Sequence, residues 1–268
     1  MTPMSDPYWE SRGNRGYRYR GEHFYTVTPV PLYYRRRRLL LEMMQPLIQE
    51  SAARSICDFG CGDGYYIEKF MPLLPQATWH GVDVAHSMLE IARARCPKAH
   101  FHLSGAGVPS GMRFDLIYSI AVLAHVLDEE LLRQLACSIG SALERDGLFV
   151  LFEQTGAPSA GDTWRRRSAH SYVSLMESCG LELVGRQLVA FPAHRIFERT
   201  VASWYYRLLP GEDDRQSRCL QANRSGMFRT MSSLALALDR RALWPDDGAR
   251  SGNSFQVYRR AAISTASG

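Results

Sequence analysis

Segment 58–64, which reads Asp-Phe-Gly-Cys-Gly-Asp-Gly, combines the residue types that can hold a nucleotide-like ligand. It follows a short apolar stretch and precedes a helical one, so we expect it to join a strand to a helix. Glycines at such a turn let the backbone fold tightly and pass close to a ligand, and the start of the helix supplies unpaired N–H groups. The spacing excludes a GxGxxG dinucleotide fingerprint, because Tyr65 stands where the third glycine is needed, and no Gly-Lys-Ser/Thr follows for a P-loop.

Alternating strands and helices must position this loop. Apolar runs predict strands at 54–59, 78–83, 99–103, 114–120, 147–152, 181–190 and 253–259. Helical spacing predicts helices at 32–50, 65–74, 87–94, 129–143, 168–179, 196–209 and 218–243, and the polar stretch 154–167 is expected to be a loop. Strands that alternate with helices in this way indicate βαβ units and a parallel sheet.

Four features in order, the glycine segment among them, support a family assignment. They are the glycine segment, the run Gly81-Val82-Asp83 with its helix, the strand 114–119 followed by Val122-Leu123-Ala124-His125-Val126, and the segment 143–152 with Arg145-Asp146-Gly147. With these features the sequence resembles the class I S-adenosylmethionine-dependent methyltransferases over about residues 30–190. The resemblance implies an α/β fold with a seven-stranded, mostly parallel, Rossmann-like sheet flanked by helices.

The resemblance and the element pattern also suggest a division of the chain. Residues 1–50 would form an N-terminal arm and helix that cover the active site, and 51–195 the S-adenosylmethionine-binding core. Residues 196–250 would be a helical insertion that acts as a lid before the last strand, and 251–268 that strand and the tail.

The family pattern implies which residues bind the cofactor, S-adenosyl-L-methionine. Asp58 would accept a hydrogen bond from the cofactor's ammonium, and the backbone from Gly60 through Cys61 and Gly62 to Gly64 would pass beside it. Asp83 would accept hydrogen bonds from both ribose hydroxyls. Val84 and Met88 are expected on the two sides of the adenine, unless Met88 belongs to the helix core. Ser104 or a backbone carbonyl would replace the acid that many members have beside the adenine amine. The residues expected beside the methyl group are Ser119 and Ile120.

Methyl transfer to an oxygen or nitrogen also requires removal of a proton, by a positioned base or by solvent. His125, after the fourth strand, is the best-placed candidate base, or it shapes the cofactor pocket. Glu153 follows the fifth strand and would be a base, an acceptor of a substrate hydroxyl, or a capping residue. His170 would enter the acceptor pocket. No metal is expected, because no second Cys/His pair accompanies any candidate ligand.

Residues outside the core would select the acceptor. Tyr17, Tyr25 and Tyr33 of the arm would line a pocket for a sugar or aromatic ring, or pack against the domain. Arg166, within the run Arg165–Arg167, would clamp a carboxylate or phosphate, or lie in a solvated loop. His194 would face the acceptor from the start of the insertion.

The composition limits the partners and the compartment. The chain has 268 residues, a formal net charge of +5 and 46 % hydrophobic residues, which is typical of an ordinary globular protein. No stretch approaches the length of a membrane span and no signal peptide is evident, so we expect a cytoplasmic protein, with peripheral membrane contact left open. The six cysteines form no CxxC pair, which favours reduced thiols.

The sequence therefore predicts an S-adenosylmethionine-dependent methyltransferase that O-methylates a polar small acceptor, such as a saccharide or a bacterial surface glycan. N- or O-methylation of a natural-product or quinone-like ring is the alternative. A non-catalytic cofactor-binding scaffold or partner subunit is an alternative of another class. No nucleic-acid partner is expected, because the net charge is modest and no RNA-binding module is evident. The oligomeric state is left open.

Overall fold

The structure, a computed structural model, describes residues 7–11, 29–209, 215–239, 242–245 and 251–261. Its centre is a mixed, mostly parallel β-sheet covered by helices, which confirms the predicted α/β class. The strands of the sheet are β1 (Ser55–Phe59), β2 (Thr78–Asp83), β3 (His100–Leu103), β4 (Phe114–Ile120), β5 (Leu143–Thr155), β8 (Leu181–Val189), β9 (Leu243–Pro245) and β10 (Gly252–Arg260).

The strand order is β3-β2-β1-β4-β5-β10-β8-β9. Strand β1 pairs in parallel with β2 and β4, β2 with β3, and β4 with β5, whereas β10 runs antiparallel to β5. The carboxyl ends of β1, β2 and β4 therefore meet at one edge of the sheet. That edge is where ligands bind in folds of this kind.

The described sheet has eight strands rather than the predicted seven. The additional strand, β9, has only three residues and is too short to show a hydrophobic period. The stretch predicted as a polar loop also contains a small antiparallel hairpin, β6 (Ser159–Gly161) and β7 (Trp164–Arg166). Backbone pairing rather than apolar burial forms this hairpin, so its sequence carries no strand pattern.

The helices mostly follow the predicted periodicity. They are α1 (residues 7–11), α2 (Val30–Ser51), α3 (Tyr65–Phe70), α4 (His86–Arg95), α5 (Glu129–Ala142), α6 (Ala169–Ser178), α7 (Pro192–Phe197), α8 (Ser203–Leu208), α9 (Arg215–Arg224) and α10 (Gly226–Leu238). A π-helical turn, Glu198–Ala202, joins α7 to α8. The prediction of one helix over 218–243 was wrong, because Ser225 breaks it and caps α10 by accepting a hydrogen bond from the Phe228 N–H at 3.3 Å.

The chain divides into two compact units. The sheet unit comprises Met1–Asn14, Gln45–Leu188 and Pro245–Gly268, and the helical unit comprises Arg15–Met44 and Val189–Trp244. The core of the sheet unit lies between the sheet and α5 and α6, with side chains such as Phe114, Ile139 and Tyr172 fully buried. The core of the helical unit is centred on Phe197, Tyr206 and Phe228.

Cys137 and Cys179 form a disulfide, which corrects the expectation that all thiols are reduced. The two residues are 42 positions apart in sequence, but α5 packs beside the end of α6 and brings their Cα atoms to 4.7 Å. No spacing rule could pair them, because only the packing of two helices makes them neighbours. Among the described helices, none is long and apolar enough to cross a membrane.

Candidate functional site

The glycine segment forms the turn between β1 and α3. Gly60, Gly62 and Gly64 all have positive φ angles, of 81°, 51° and 75°. Residues other than glycine rarely adopt this backbone region. Gly60 is additionally confined, because a Cβ atom there would lie 2.2 Å from a methyl of Val122. The turn therefore needs glycine both for its backbone angles and for close packing beside the sheet edge.

Asp83, the last residue of β2, faces this turn. One carboxylate oxygen, Oδ2, accepts a hydrogen bond from the Gly62 N–H at 2.8 Å, and the other, Oδ1, accepts from the Ala85 N–H at 2.9 Å. Burial raises the pKa of Asp83, although these amide donors oppose the shift. Each oxygen has a second lone pair, so the fixed carboxylate can still accept from a pair of neighbouring hydroxyls.

A cavity opens beside the glycine turn, at the carboxyl ends of the parallel strands. It encloses about 690 Å³ when its open mouth is included, a size that suits a nucleoside-like ligand. Its walls are mostly apolar, with Asp83, Ser104 and His125 as polar members. The lining consists of Trp9, Phe59, Gly60, Gly62, Val82, Asp83, Val84, Met88, Ser104, Gly105, Ile120, Ala121, Val122, His125 and Leu135.

Seven of the residues predicted to bind the cofactor line this cavity: Gly60, Gly62, Asp83, Val84, Met88, Ser104 and Ile120. The hydroxyl of Ser104 donates to the Gly107 carbonyl at 2.6 Å, which leaves its oxygen as an acceptor. This oxygen can still accept a hydrogen bond from a ligand in the cavity.

The remaining predicted cofactor residues lie beneath or beside the turn. Asp58, Cys61 and Ser119 are buried, and none of them lines the cavity, while Gly64 begins α3. Burial raises the pKa of Asp58 well above its ordinary value. Asp58 Oδ2 and Ser119 Oγ have no hydrogen-bond partner in the described part of the chain. A buried carboxylate oxygen with unused capacity fits an ammonium group nearby, so the residues present are compatible with the predicted cofactor.

His125 projects from the short 3₁₀ turn Leu123–His125 into the cavity wall. Its Nδ1 lies 2.8 Å from the Thr163 carbonyl, and the Trp9 ring meets the imidazole edge-on at 4.9 Å between centroids. A carbonyl can only accept, so Nδ1 must carry the hydrogen in this contact. In the neutral ring Nε2 is then the basic nitrogen, as a general base requires.

Glu153, at the carboxyl end of β5, supports that turn from below. Its Oε1 accepts from the Val122 and Leu123 N–H groups at 2.7 and 2.6 Å, and the residue is 1 % exposed. Burial raises the pKa of Glu153 to about 7. Because Glu153 does not line the cavity and its carboxylate binds the backbone, the geometry favours the capping role among the sequence alternatives.

The buried guanidinium of Arg167 holds the other side of the same turn. Its Nη1 and Nη2 donate to the Leu123 and Val126 carbonyls at 3.2 and 2.8 Å, and Nη2 also contacts Glu129 at 2.8 Å. Arg167 is 7 % exposed. Sequence reasoning missed this role, because the residue lies in a run of three arginines that is typical of a solvated loop.

The first described helix, α1, carries Trp9, which lines the cavity, and its neighbour Glu10 anchors the helix to α4. Glu10 accepts hydrogen bonds from the His86 N–H and, at 3.1 Å, from the Ser87 N–H at the start of α4. Hydrogen bonding to Ser87 lowers the pKa of Glu10, so the carboxylate stays ionised. A carboxylate at a helix start is favourable for the dipole, and here it fixes Trp9 against His125. The aromatic content of the N-terminus was the only sequence signal for this arrangement.

None of the other predicted site residues that the structure describes is among the lining of the cavity. His170 is exposed on α6, and Arg166 donates from β7 to the Ala157 carbonyl at 2.8 Å. In the helical unit, Tyr33 contacts Arg37, and His194 is fully buried with its Nε2 2.8 Å from Ser232 Oγ. Their substrate and catalytic roles stay predictions. Tyr17 and Tyr25 lie outside the described residues.

Comparison with known proteins adds sequence and structural relatives. Residues 56–147 match the model of a family described as "Methyltransferase domain". Trans-aconitate 2-methyltransferase from Variovorax paradoxus is 35 % identical over 112 residues, which cover 41 % of this chain and 42 % of the relative. Malonyl-[acyl-carrier protein] O-methyltransferase from Bacillus cytotoxicus is 38 % identical over 58 residues, or 22 % of this chain and 20 % of the relative. The matched regions thus span less than half the length of these relatives.

A solved structure extends the likeness of fold. The O-methyltransferase of a trans-AT polyketide synthase from Brevibacillus brevis, solved with S-adenosyl-L-homocysteine, superposes with a TM-score of 0.60. The alignment has 17 % identity and covers 88 % of this chain and 78 % of that chain. Residues 56–147 are thus similar in sequence to a methyltransferase domain, and the fold is shared with a methyltransferase solved with S-adenosyl-L-homocysteine.

Proposed function

We propose that this chain is an S-adenosylmethionine-dependent methyltransferase that methylates an oxygen of a small polar acceptor. The observation that carries the proposal is the cavity at the carboxyl ends of β1, β2 and β4, which is lined by Gly62, Asp83, Ser104 and His125 together. Bound S-adenosylmethionine would supply an electrophilic methyl group for in-line displacement. The chain's own residues would bind the cofactor, orient the acceptor and exclude water from the cavity.

Each end of the ligand has a matching set of residues. Asp83 would accept from the ribose hydroxyls while its amide contacts hold the carboxylate in place, and Ser104 would accept from the adenine amine. Val84 and Met88 supply apolar surface on either side of the adenine. Asp58, with its buried Oδ2, would supply an acceptor oxygen below the turn, and a bound ammonium would oppose the raised pKa of this carboxyl by favouring its charged form.

His125 would act as general base for a hydroxyl acceptor. Its Nδ1 contact with the Thr163 carbonyl fixes the ring and directs the basic Nε2 away from the hairpin. Such assistance contributes typically 100- to 10,000-fold to the rate. A saccharide hydroxyl is the acceptor that the sequence favoured, and it needs this base because its proton is weakly acidic.

A carboxylate acceptor is the second candidate. The relatives from Variovorax paradoxus and Bacillus cytotoxicus are named for trans-aconitate and malonyl-[acyl-carrier protein], and both of these molecules carry carboxylates. A carboxylate is already deprotonated at neutral pH and needs no base. The two candidates therefore differ in their dependence on His125. Methylation of a natural-product ring, as in the sequence alternative, shares the base requirement of the saccharide.

Calorimetry on the purified chain tests the central claim. We expect S-adenosylmethionine and S-adenosylhomocysteine to bind with dissociation constants in the micromolar range, and NAD to bind much more weakly. Transfer of labelled methyl to a panel of sugars, polycarboxylates and phenols would then identify the acceptor class. Failure of both cofactor forms to bind would overturn the proposal, whereas binding with no transfer to any acceptor would support a non-catalytic scaffold.

A further inference from the structure

The continuous helical stretch of residues 192–208, which comprises α7, the π-helical turn and α8, leaves large apolar side chains uncovered. Ile196, Trp204 and Leu208 are 65 %, 62 % and 60 % exposed, and Val201 is 37 % exposed. The opposite side of the same stretch buries Phe197 and Tyr206 in the core of the helical unit. Isolated exposed apolar residues are ordinary, but several on one helix face mark an interaction surface.

Arginines are interleaved with these apolar side chains. Arg195, Arg199 and Arg207 are also exposed in this stretch, and none of them forms an ion pair with a described residue. Long arginine side chains can lay their methylenes along apolar material while the guanidinium stays at a polar boundary. The exposed face therefore combines large apolar side chains with positively charged ones.

The carboxylate of this stretch points the other way. Glu198 is its only acidic residue, and its side chain is 25 % exposed, with Oε2 3.7 Å from Nδ1 of the buried His194. Its charge also acts on Arg36, whose pKa burial lowers and Glu198 raises. The acid is thus engaged within the helical unit, and the described residues 192–208 contain no other carboxylate.

Helix α10, in the same unit, shows the same composition independently. Met227, Leu234 and Leu238 are 62 %, 63 % and 76 % exposed, Arg229 is exposed, and the helix has no acidic residue. Its buried side carries Phe228 and Ser232. Two helices of one unit therefore expose apolar and basic residues and no carboxylate.

We propose that the exposed face of residues 192–208 docks on the surface of an anionic lipid bilayer, with Trp204, Ile196 and Leu208 inserted at the interface and the three arginines on lipid phosphates. A helix with a basic polar boundary and Trp, Ile and Leu on its apolar side is the composition of interfacial helices. Charge decides against a second copy of this chain as the occupant, because two such faces would bring like charges together. Docking would hold the enzyme beside acceptors that lie at or near a membrane.

Vesicle sedimentation with the full chain tests the proposal. We expect binding to vesicles of equal parts phosphatidylcholine and phosphatidylglycerol, little binding to pure phosphatidylcholine, and weakening as salt rises above about 0.1 M. The triple variant R195Q/R199Q/R207Q should bind roughly 100-fold more weakly, because each arginine near an anionic surface contributes about fivefold. Trp204→Ser should weaken binding as well, by removing interfacial insertion.

Matched controls come from exposed residues of the sheet unit. R54Q/R145Q removes two arginines that have no described ion pair, and Val184→Ser removes an exposed apolar side chain. Both should bind vesicles like the parent chain, and circular dichroism should show all variants folded. No binding to the anionic vesicles, or equal losses in test and control variants, would overturn the proposal. So would light scattering that shows a dimer broken by Trp204→Ser, because a second copy would then cover this face. Vesicle binding needs no cofactor, so its failure is distinct from failure of the proposed function.

Discussion

Glu153 and Arg167 hold one turn from opposite sides, the acid through the turn's N–H groups and the base through its carbonyls. Glu153 Oε1 accepts from Val122 and Leu123 at 2.7 and 2.6 Å, and Arg167 donates to Leu123 and Val126 at 3.2 and 2.8 Å. Both side chains are buried, so solvent competes little for these bonds.

This paired support has a consequence for the cavity wall. The turn follows Ala121, whose φ angle of 57° is unfavourable for a residue with a Cβ atom, and it carries His125. A strained backbone conformation persists only where contacts with the surrounding residues hold it in place. The two buried side chains supply that constraint, so they position the candidate base although neither of them lines the cavity.

The first prediction concerns Glu153 and pH. In the folded chain burial raises the pKa of Glu153 to about 7, against an ordinary value of 4.5. Between these values the folded state binds more protons than the unfolded state, so its stability falls as the pH rises. We expect the parent chain to lose about 2.5 kcal/mol relative to Glu153→Gln between about pH 5 and pH 8.

Urea unfolding at both pH values measures this difference. Glu144→Gln, at an exposed position, is the matched control and should track the parent chain at each pH. If Glu153→Gln and the parent show the same pH dependence, Glu153 is not a titrating buried group and the capping role needs revision.

The second prediction separates crowding from backbone strain at the glycine turn. Gly60 and Gly111 both have a φ of 81°, but a Cβ atom at Gly60 would lie 2.2 Å from Val122, whereas at Gly111 nothing lies within 4 Å. Gly111→Ala should cost about 1 to 2 kcal/mol from the left-handed backbone alone. Gly60→Ala should cost about 1 to 3 kcal/mol more and should also weaken cofactor binding. Thermal unfolding and calorimetry measure both effects, and equal losses in the two variants would argue against a tightly packed turn.

The third prediction tests Asp83 as the ribose acceptor. Asp83→Ala removes the carboxylate that faces the cavity and should weaken S-adenosylhomocysteine binding roughly 10- to 100-fold. Asp83→Asn keeps one carbonyl oxygen and should fall between the parent and Asp83→Ala. Asp146→Ala, at an exposed position in the first part of β5, serves as the control for loss of negative charge. Unchanged affinity in Asp83→Ala by calorimetry would remove the ribose role.

The fourth prediction distinguishes the two acceptor classes through His125. For a hydroxyl acceptor, His125→Gln should lower kcat at least roughly 100-fold with little change in cofactor affinity, because the proton has no acceptor. For a carboxylate acceptor the same variant should retain kcat within a few fold. Thr163 contributes only a backbone carbonyl, so Thr163→Ala is the matched control and should leave kcat unchanged. Full turnover of His125→Gln on a sugar or phenol would exclude this histidine as the base.

The fifth prediction addresses the N-terminal helix. Glu10→Gln weakens the hydrogen bonds to the start of α4 and should release Trp9 from the cavity wall. Loss of a helix-capping carboxylate costs about 1 kcal/mol, so we expect a several-fold faster release of the cofactor. Stopped-flow fluorescence measures that rate, with Glu177→Gln, at an exposed position, as the control. An unchanged release rate would mean that α1 does not close the cavity.

Local sequence determined the parts of this protein that depend on short-range patterns. The glycine spacing from Gly60 to Gly64, the acid that ends β2 and the alternation of strands with helices were enough to predict the α/β sheet and most of the cavity wall. These features are readable because side-chain periodicity and backbone angles are set within a few residues. The same patterns missed β9, the β6–β7 hairpin and the break at Ser225, where short pairing and capping outweigh periodicity.

Tertiary structure alone decided which distant side chains meet. Glu10 reaches Ser87 across 77 positions, Arg167 reaches the Leu123 carbonyl across 44, and Cys137 pairs with Cys179 across 42. It also decided burial, and among the roles open to Glu153 in the sequence it favours support of the backbone through the Val122 and Leu123 N–H groups. A sequence records residue types but not the loss of solvent around them, and that loss sets both the pKa of a carboxyl and the partners it must find.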